Sequence, residues 1–284
     1  MNRTTTSDRA TTTGRTTTTG ALEAHLRDRR AAGRKLLMPY VTGGVVPGWT
    51  RYLRAFVEAG ADAIEVGLPF SDPTLDGVTI QEASEAALAR GATVAGILAE
   101  LAEAAPAPEV PLVASTYSHL VLREGPGPFC AALRAAGVTG LIVPDLPLEE
   151  SAELEAAAAG AGVDLALLAS PVTPPARLVE IGRRSRGFVY AVSLMGTTGE
   201  RDTLAGSAAA LAGRVARATD RPVLLGFGIS TPEHAARAAR AADGVVVGAA
   251  VVRQLLDGAG PAEVGACLAK MRRALDDARP PGPE

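Results

Sequence analysis

Glu65 stands in the middle of an apolar run, AIEVGL, and Asp72 and Asp76 follow on a segment rich in Pro, Gly and Asp. The whole stretch, residues 61–81, reads ADAIEVGLPFSDPTLDGVTIQ. A carboxylate on a buried strand is costly unless it is paired or protonated, and burial raises its pKa. A pKa near neutrality suits a group that gives and takes protons. The same residue could instead hold a structural ion pair inside a barrel, and the stretch by itself leaves both readings open. Asp76, read alone, is the first half of an ordinary Asp-Gly turn. Thr79 and Glu82 have the spacing of a capping box, which places the start of a helix there.

Positioning such groups requires a framework, and the rest of the chain is regular. An opening helix, ALEAHLRDRRAAG, ends at Gly33, a C-cap residue. Eight apolar runs follow, at 36–42, 63–68, 111–116, 140–145, 164–170, 187–193, 222–228 and 244–248. They are nearly continuous rather than alternating, as parallel strands covered on both faces are. Ala-rich helices lie between them, among them TRYLRAFVEAG, FCAALRAAG, ESAELEAAAAGAG, TLAGSAAALAGRVARA and TPEHAARAARAA. Several end in Gly just before the next strand. About eight such units close a single (β/α)8 TIM barrel, here with an extra N-terminal helix. An open doubly wound sheet is disfavoured, because no GxGxxG follows the first strand.

In a TIM barrel the site lies at the C-terminal ends of the strands, and phosphate commonly binds after strands seven and eight. Those loops are GFGIS (226–230) and GAA (248–250), both small enough for backbone N–H groups to approach an anion. The sixth loop, SLMGTTGERD (193–202), is long enough to act as a flexible cover. One glycine alone marks only a tight turn; three glycine-bearing loops in this order favour phosphate.

Composition narrows the remaining choices. Hydrophobic residues make up 47% of the 284, enough for a large core, and the formal net charge of −3 offers no basic footprint for nucleic acid or an anionic membrane. No apolar run reaches the roughly 18–20 residues that span a bilayer. Cys130 and Cys267 have neither metal-ligand nor redox spacing and read as two buried thiols of a reducing, cytoplasmic compartment. His25, His119 and His234 are scattered and read as surface or satisfied side chains. Residues 1–20 form a Thr/Arg-rich tail without the apolar core of a secretory signal, and are expected to be disordered. The barrel is expected over 21–278, with a flexible end at 279–284.

With Glu65, the FSDPTLDG and GTTG loops and GFGIS in place, the chain resembles the tryptophan synthase alpha subunit family from about residue 21 to 278. IEVGLPFSDPTLDGVTIQ carries most of the likeness, and PDLPLEES (144–151) and LLGFGIS (224–230) add to it. The resemblance implies retro-aldol cleavage of indole-3-glycerol phosphate to indole and glyceraldehyde 3-phosphate. It makes Glu65 the general acid/base and Asp76 the group that accepts the indole N–H and stabilises the cationic intermediate. Tyr117 and Tyr190 match pocket tyrosines, although without the family each reads as a wall. Thr198 matches a loop threonine that closes on Asp76. Backbone groups of Gly199, Gly228, Gly248 and Ala249 match the phosphate site. Asp145 matches an acidic position with an orienting or interface role. The reaction implied needs no metal or organic cofactor, pyridoxal phosphate belonging to a beta-subunit partner in an α2β2 assembly.

The chain departs from the family pattern in places. Ala249 stands where the family usually has serine, removing a hydroxyl donor worth about 1–3 kcal/mol to a bound phosphate. Residues 44–47 read Gly-Val-Val-Pro where Gly-Asp-Pro is common, and Ser118-His119 replaces Asn-Pro on a loop that faces the beta subunit in the family. The sixth loop has Gly-Thr-Thr-Gly for Gly-Val-Thr-Gly. These changes leave two alternatives beside the ordinary subunit: a stand-alone lyase releasing free indole, and a non-catalytic regulatory partner of a beta subunit.

Overall fold

A computed structural model describes residues 19–104, 110–192, 201–226 and 228–278, with the side chains of 201–207 excepted. The expected tails at 1–20 and 279–284 therefore lie almost wholly outside the described residues. Eight strands form a closed barrel in sequence order. They are β1 (Leu36–Thr42), β2 (Ile64–Gly67), β3 (Leu112–Ser115) and β4 (Val138–Ile142). The second half comprises β5 (Asp164–Ala169), β6 (Val189–Val192), β7 (Val223–Gly226) and β8 (Gly244–Val247). Every neighbouring pair is parallel, and β8 returns to β1 with Leu36 opposite Gly244.

The helices are α1 (Ala21–Ala31), α2 (Arg51–Glu58), α3 (Val78–Ala89) and α4 (Val94–Glu103). Then come α5 (Ser118–Glu124), α6 (Pro126–Ala135), α7 (Ala152–Ala161) and α8 (Pro175–Arg184). The last four are α9 (Arg201–Ala218), α10 (Pro232–Ala239), α11 (Ala249–Leu256) and α12 (Pro261–Asp277). None of the described helices is long and apolar enough to cross a membrane.

The strands bury both faces, so two apolar clusters result. The larger lies between strands and helices and includes Val41, Val66, Leu141, Leu165 and Val245. The smaller fills the barrel with Leu36, Met38, Val113, Ile142, Phe188 and Leu224, and α1 inserts Leu22 and Leu26 into it from below. Helix α1 has no side-chain cap of its own. Asp164, at the start of β5, takes that role by accepting the Glu23 N–H at 2.9 Å. Glu23 in turn accepts the Gly187 N–H at 3.2 Å and pairs with Arg27 at 2.9 Å. Asp62 ties down the same end: it accepts the Leu37 N–H at 2.9 Å and pairs with Arg34 and Arg272. The N-terminal mouth is thus closed by packing and ion pairs, and the C-terminal mouth is left for chemistry.

Three local expectations need correction. The capping box at Thr79 and Glu82 does not form, because α3 already begins at Val78 with Gly77 as its cap. The Ile80 and Gln81 N–H groups both bond Gly77 O, and Arg253 of α11 takes up the side chains of Thr79, at 3.3 Å, and Glu82. Tertiary contact outbid the local motif. Of the two free thiols, Cys130 is buried as expected, whereas Cys267 is half-buried on α12. Gly33 lies one residue beyond the α1 C-cap, Ala32.

Leu22 is fully buried as part of the plug that α1 places in the barrel. Leu22→Ala is expected to lower the unfolding free energy by about 2–5 kcal/mol in a denaturant titration. An unchanged midpoint would mean that α1 is only a surface appendage.

Candidate active site

Strand β2 carries the central residue. Glu65 pairs in register with Tyr40 on β1 and Val113 on β3, and only 3% of its surface is exposed. Alternation with Ala63, a member of the interior cluster, turns its side chain into the barrel. No cationic side chain among the described residues pairs with it, and its Oε2 has no hydrogen-bond partner there. Burial pushes its pKa up to about 8; the Ser115 hydroxyl pulls it down, and the charge of Asp76 adds to the rise. The ion-pair reading therefore gives way to a carboxyl group held protonated at neutral pH.

Asp76 comes from the loop after β2. That loop is shaped by turns from Thr74 N–H to Asp72 O and from Asp76 N–H to Pro73 O, and Gln81 on α3 donates to Asp76 O at 2.8 Å. Burial lifts the Asp76 pKa to about 6, and a hydrogen bond from Tyr117 moderates the shift. Tyr117, just after β3, also accepts the Leu75 N–H at 3.0 Å. Its ring stacks on Phe70 at 5.2 Å, and His119 lies at 5.9 Å from the same Phe70 ring. One phenol thus braces the loop at two points.

Asp145 explains how Tyr117 is held. Tyr117 is the N-cap of α5 and offers no side-chain cap, so Asp145 accepts both the Ser118 N–H at 2.8 Å and the Ser118 hydroxyl at 2.7 Å. Its role in this chain is to orient the start of α5. Tyr190 rises from β6, edge-on to Phe188 at 6.0 Å. A Cβ on Gly226 of the adjacent strand would overlap the Tyr190 ring, so only glycine leaves room for it. Burial and the charge of Glu65 both raise the Tyr190 pKa.

The loops after β7 and β8 present backbone. Gly228 is exposed with φ of +42°, and Gly248 caps α11 without a side-chain hydrogen bond. The first N–H groups bonded to Gly248 O are those of Val251 and Val252. Those of Ala249 and Ala250 are left at the helix start for an outside acceptor, where the helix dipole also favours an anion. Thr198 and Gly199 lie outside the described residues. His234 stays structural: its N–H goes to Thr231 at 3.3 Å and its Nδ1 lies 3.2 Å from Ser230 Oγ. His25 sits beside Asp62 at the opposite end of the barrel, with a buried Nε2 that lacks a hydrogen-bond partner among the described residues. No cluster of three or more His, Cys, Asp or Glu suited to a metal occurs among the described residues.

Residues 26–277 match the family model of the tryptophan synthase alpha chain. The chain belongs to that family. It is 47% identical to the tryptophan synthase alpha chain of Chloroflexus aurantiacus over 230 residues, covering 80% of this chain and 86% of that one. The alpha chain of a Cyanothece species is 39% identical, with 90% and 96% covered. Among solved structures, a tryptophan synthase chain from M. tuberculosis superposes with a TM-score of 0.81 at 37% identity, covering 90% of this chain and 98% of that one. The alpha subunit from Legionella pneumophila gives 0.83 at 32% identity, with 91% and 99% covered.

Two further residues, which the sequence alone does not single out, lie beside Glu65 in this alpha chain. Ser115 touches the Glu65 carboxyl, and Tyr40 of β1 carries a hydroxyl into the same space, 3.2 Å from Thr42 Oγ1. The signal for Tyr40 was available: in LLMPYVT the alternation that turns Leu36 and Met38 inward also turns Tyr40 and Thr42 inward, at the end of the strand where TIM barrels work.

Protonated Glu65 has a consequence for stability. Between pH 4.5 and pH 8 the folded chain keeps a proton that the unfolded chain releases, so this residue's contribution to stability is lost as pH rises across that window. Glu65→Gln removes the dependence. The variant's stability advantage over wild type is expected to grow from pH 5 to pH 8 and level off above, as read by urea unfolding. A pH-independent difference would place the folded pKa at an ordinary value.

Proposed function

We propose that this tryptophan synthase alpha chain cleaves indole-3-glycerol phosphate to indole and glyceraldehyde 3-phosphate, with Glu65 as general acid/base and Asp76 as its anionic partner. One observation carries the reading: Glu65 is buried without a cationic partner while Asp76 beside it is only half-buried, so burial pushes the first carboxyl up to about 8 and the second only to about 6. At pH 7 the first is an acid and the second a carboxylate, which is the division of labour the reaction needs. Glu65 delivers its proton to C3 of the indole ring. Asp76 accepts the ring N–H and stabilises the resulting cation. The Glu65 carboxylate then removes the proton of the glycerol hydroxyl next to the ring, the carbon–carbon bond breaks, and its electron pair returns to the indole. Glu65 ends protonated, ready for the next turnover.

The other site residues take supporting roles in this proposal. Tyr117 and Tyr190 wall the ring, and Tyr117 fixes Asp76. The backbone of Gly199, Gly228, Gly248 and Ala249 holds the phosphate, with Ala249 contributing N–H but no hydroxyl. Thr198 closes on Asp76. No cofactor enters these steps. A beta subunit carrying pyridoxal phosphate receives the indole, docking at the C-terminal mouth, where Leu75, Val78 and Leu122 are exposed by 59%, 69% and 61%. The cytoplasm is the proposed location, in keeping with the free thiols.

Indole release from indole-3-glycerol phosphate, alone and with a beta subunit, tests the assignment. The expected kcat/KM profile is bell-shaped, falling below about pH 6 as Asp76 protonates and above about pH 8 as Glu65 ionises. Glu65→Gln is expected to lose at least about a thousandfold in kcat. Near-normal turnover by that variant would refute the mechanism.

A further inference from the structure

The strand order around the open mouth matches the order of groups along the substrate, on the lyase reading above. Gly248 and Ala249, assigned to the phosphate, follow β8; Glu65, assigned to ring carbon C3, lies on β2; Tyr117, which holds Asp76 for the ring N–H, follows β3. Strand β1 lies between β8 and β2. The part of the substrate between phosphate and C3 is the glycerol chain, so the inward side chains at the top of β1 face it. They are Tyr40 and Thr42.

Tyr40 is placed for contact with that chain. Its backbone is in register with Glu65, and a Cβ on Gly67 of β2 would overlap its hydroxyl, so the phenol reaches sideways from β1 over β2. Its own Cβ is 3.8 Å from where a Gly248 Cβ would lie, which sets the base of the side chain against the phosphate loop. Among the described residues the hydroxyl's one hydrogen-bond partner is Thr42 Oγ1 at 3.2 Å, in a pair where either oxygen can donate. If Thr42 donates, the Tyr40 proton is free for a ligand. Burial and the charges of Asp76 and Glu65 raise its pKa, so the phenol remains a neutral donor throughout. Glu65, in register beside it and close enough for its charge to act on the phenol, leaves Oε2 buried and unpartnered among the described residues.

We infer that the Tyr40 hydroxyl donates a hydrogen bond to the reacting hydroxyl oxygen of the glycerol chain, opposing the charge that builds on that oxygen as Glu65 removes its proton. Tyr40 keeps its own proton. The hydroxyl proton goes to Glu65, the C3–carbinol bond breaks toward the ring, and the oxygen becomes the aldehyde carbonyl. A donor that strengthens as charge develops acts on the transition state more than on the bound substrate.

Tyr40→Phe in the full chain, assayed where the wild type releases indole, tests this. The expected result is a fall in kcat of about ten- to a hundredfold with KM changed less than about threefold. Inhibition by indole-propanol phosphate, which has the ring and phosphate but no hydroxyl at the reacting carbon, is expected to be unchanged. Unaltered kcat in Tyr40→Phe would overturn the proposal. So would equal losses in kcat and inhibitor binding, because those report a misshapen pocket. No cleavage by the wild type, alone or with a beta subunit, would instead overturn the lyase assignment on which the proposal rests.

Discussion

The architecture of the site depends on one constraint: the Glu65 carboxyl is buried inside the barrel without a counter-cation. Ionised, it would face a desolvation cost that the Ser115 hydroxyl offsets only in part, and its charged neighbour, Asp76, is also an acid. It therefore keeps its proton near neutral pH. Several features of the C-terminal mouth are arranged around that acid. Gly67 and Gly226 are small so that Tyr40 and Tyr190 can lie across the barrel around it. Asp145 caps α5, so Tyr117 is held, and Tyr117 holds Asp76 at the distance where its charge is felt.

Stability is concentrated at the other end. Helix α1 lacks a cap of its own and borrows Asp164, while Leu22 and Leu26 fill the barrel floor. Asp62, Arg34 and Arg272 tie β1, the turn before β2 and α12 together below the sheet. The separation is physically sensible. The buried carboxyl that chemistry needs lies toward the top, and the bottom supplies the packing and ion pairs that tolerate it.

The fold was readable because parallel strands covered on both faces leave near-continuous apolar runs, and all eight runs became strands. Their limits moved by a few residues; β4 starts at Val138, before the run that Gly140 opens, since Thr139 interrupts the hydrophobic pattern. The capping box failed because α3 starts at Val78, ahead of Thr79, and the side chains of Thr79 and Glu82 are held instead by Arg253, 171 residues beyond Glu82. No local rule contains that contact. The choice at Glu65 between ion pair and acid could not be made from AIEVGL, since it turns on which side chains other strands bring in. Tyr40 is hidden for the opposite reason: its ring fits the apolar run LLMPYVT so well that nothing local marks its hydroxyl as polar. Asp145 could be matched to a family position, but its work as a cap for α5 is a tertiary contact with Ser118.

The central claim is that Glu65 is an acid at neutral pH, and a direct titration of that carboxyl tests it. With carboxyl-13C glutamate incorporated and the Glu65 resonance assigned by its loss in Glu65→Gln, the chemical shift is followed by NMR from pH 4 to pH 10. The account predicts a midpoint at about 8. A midpoint near the ordinary glutamate value of about 4.3 would contradict it, and the proton delivered to the substrate would have to come from elsewhere.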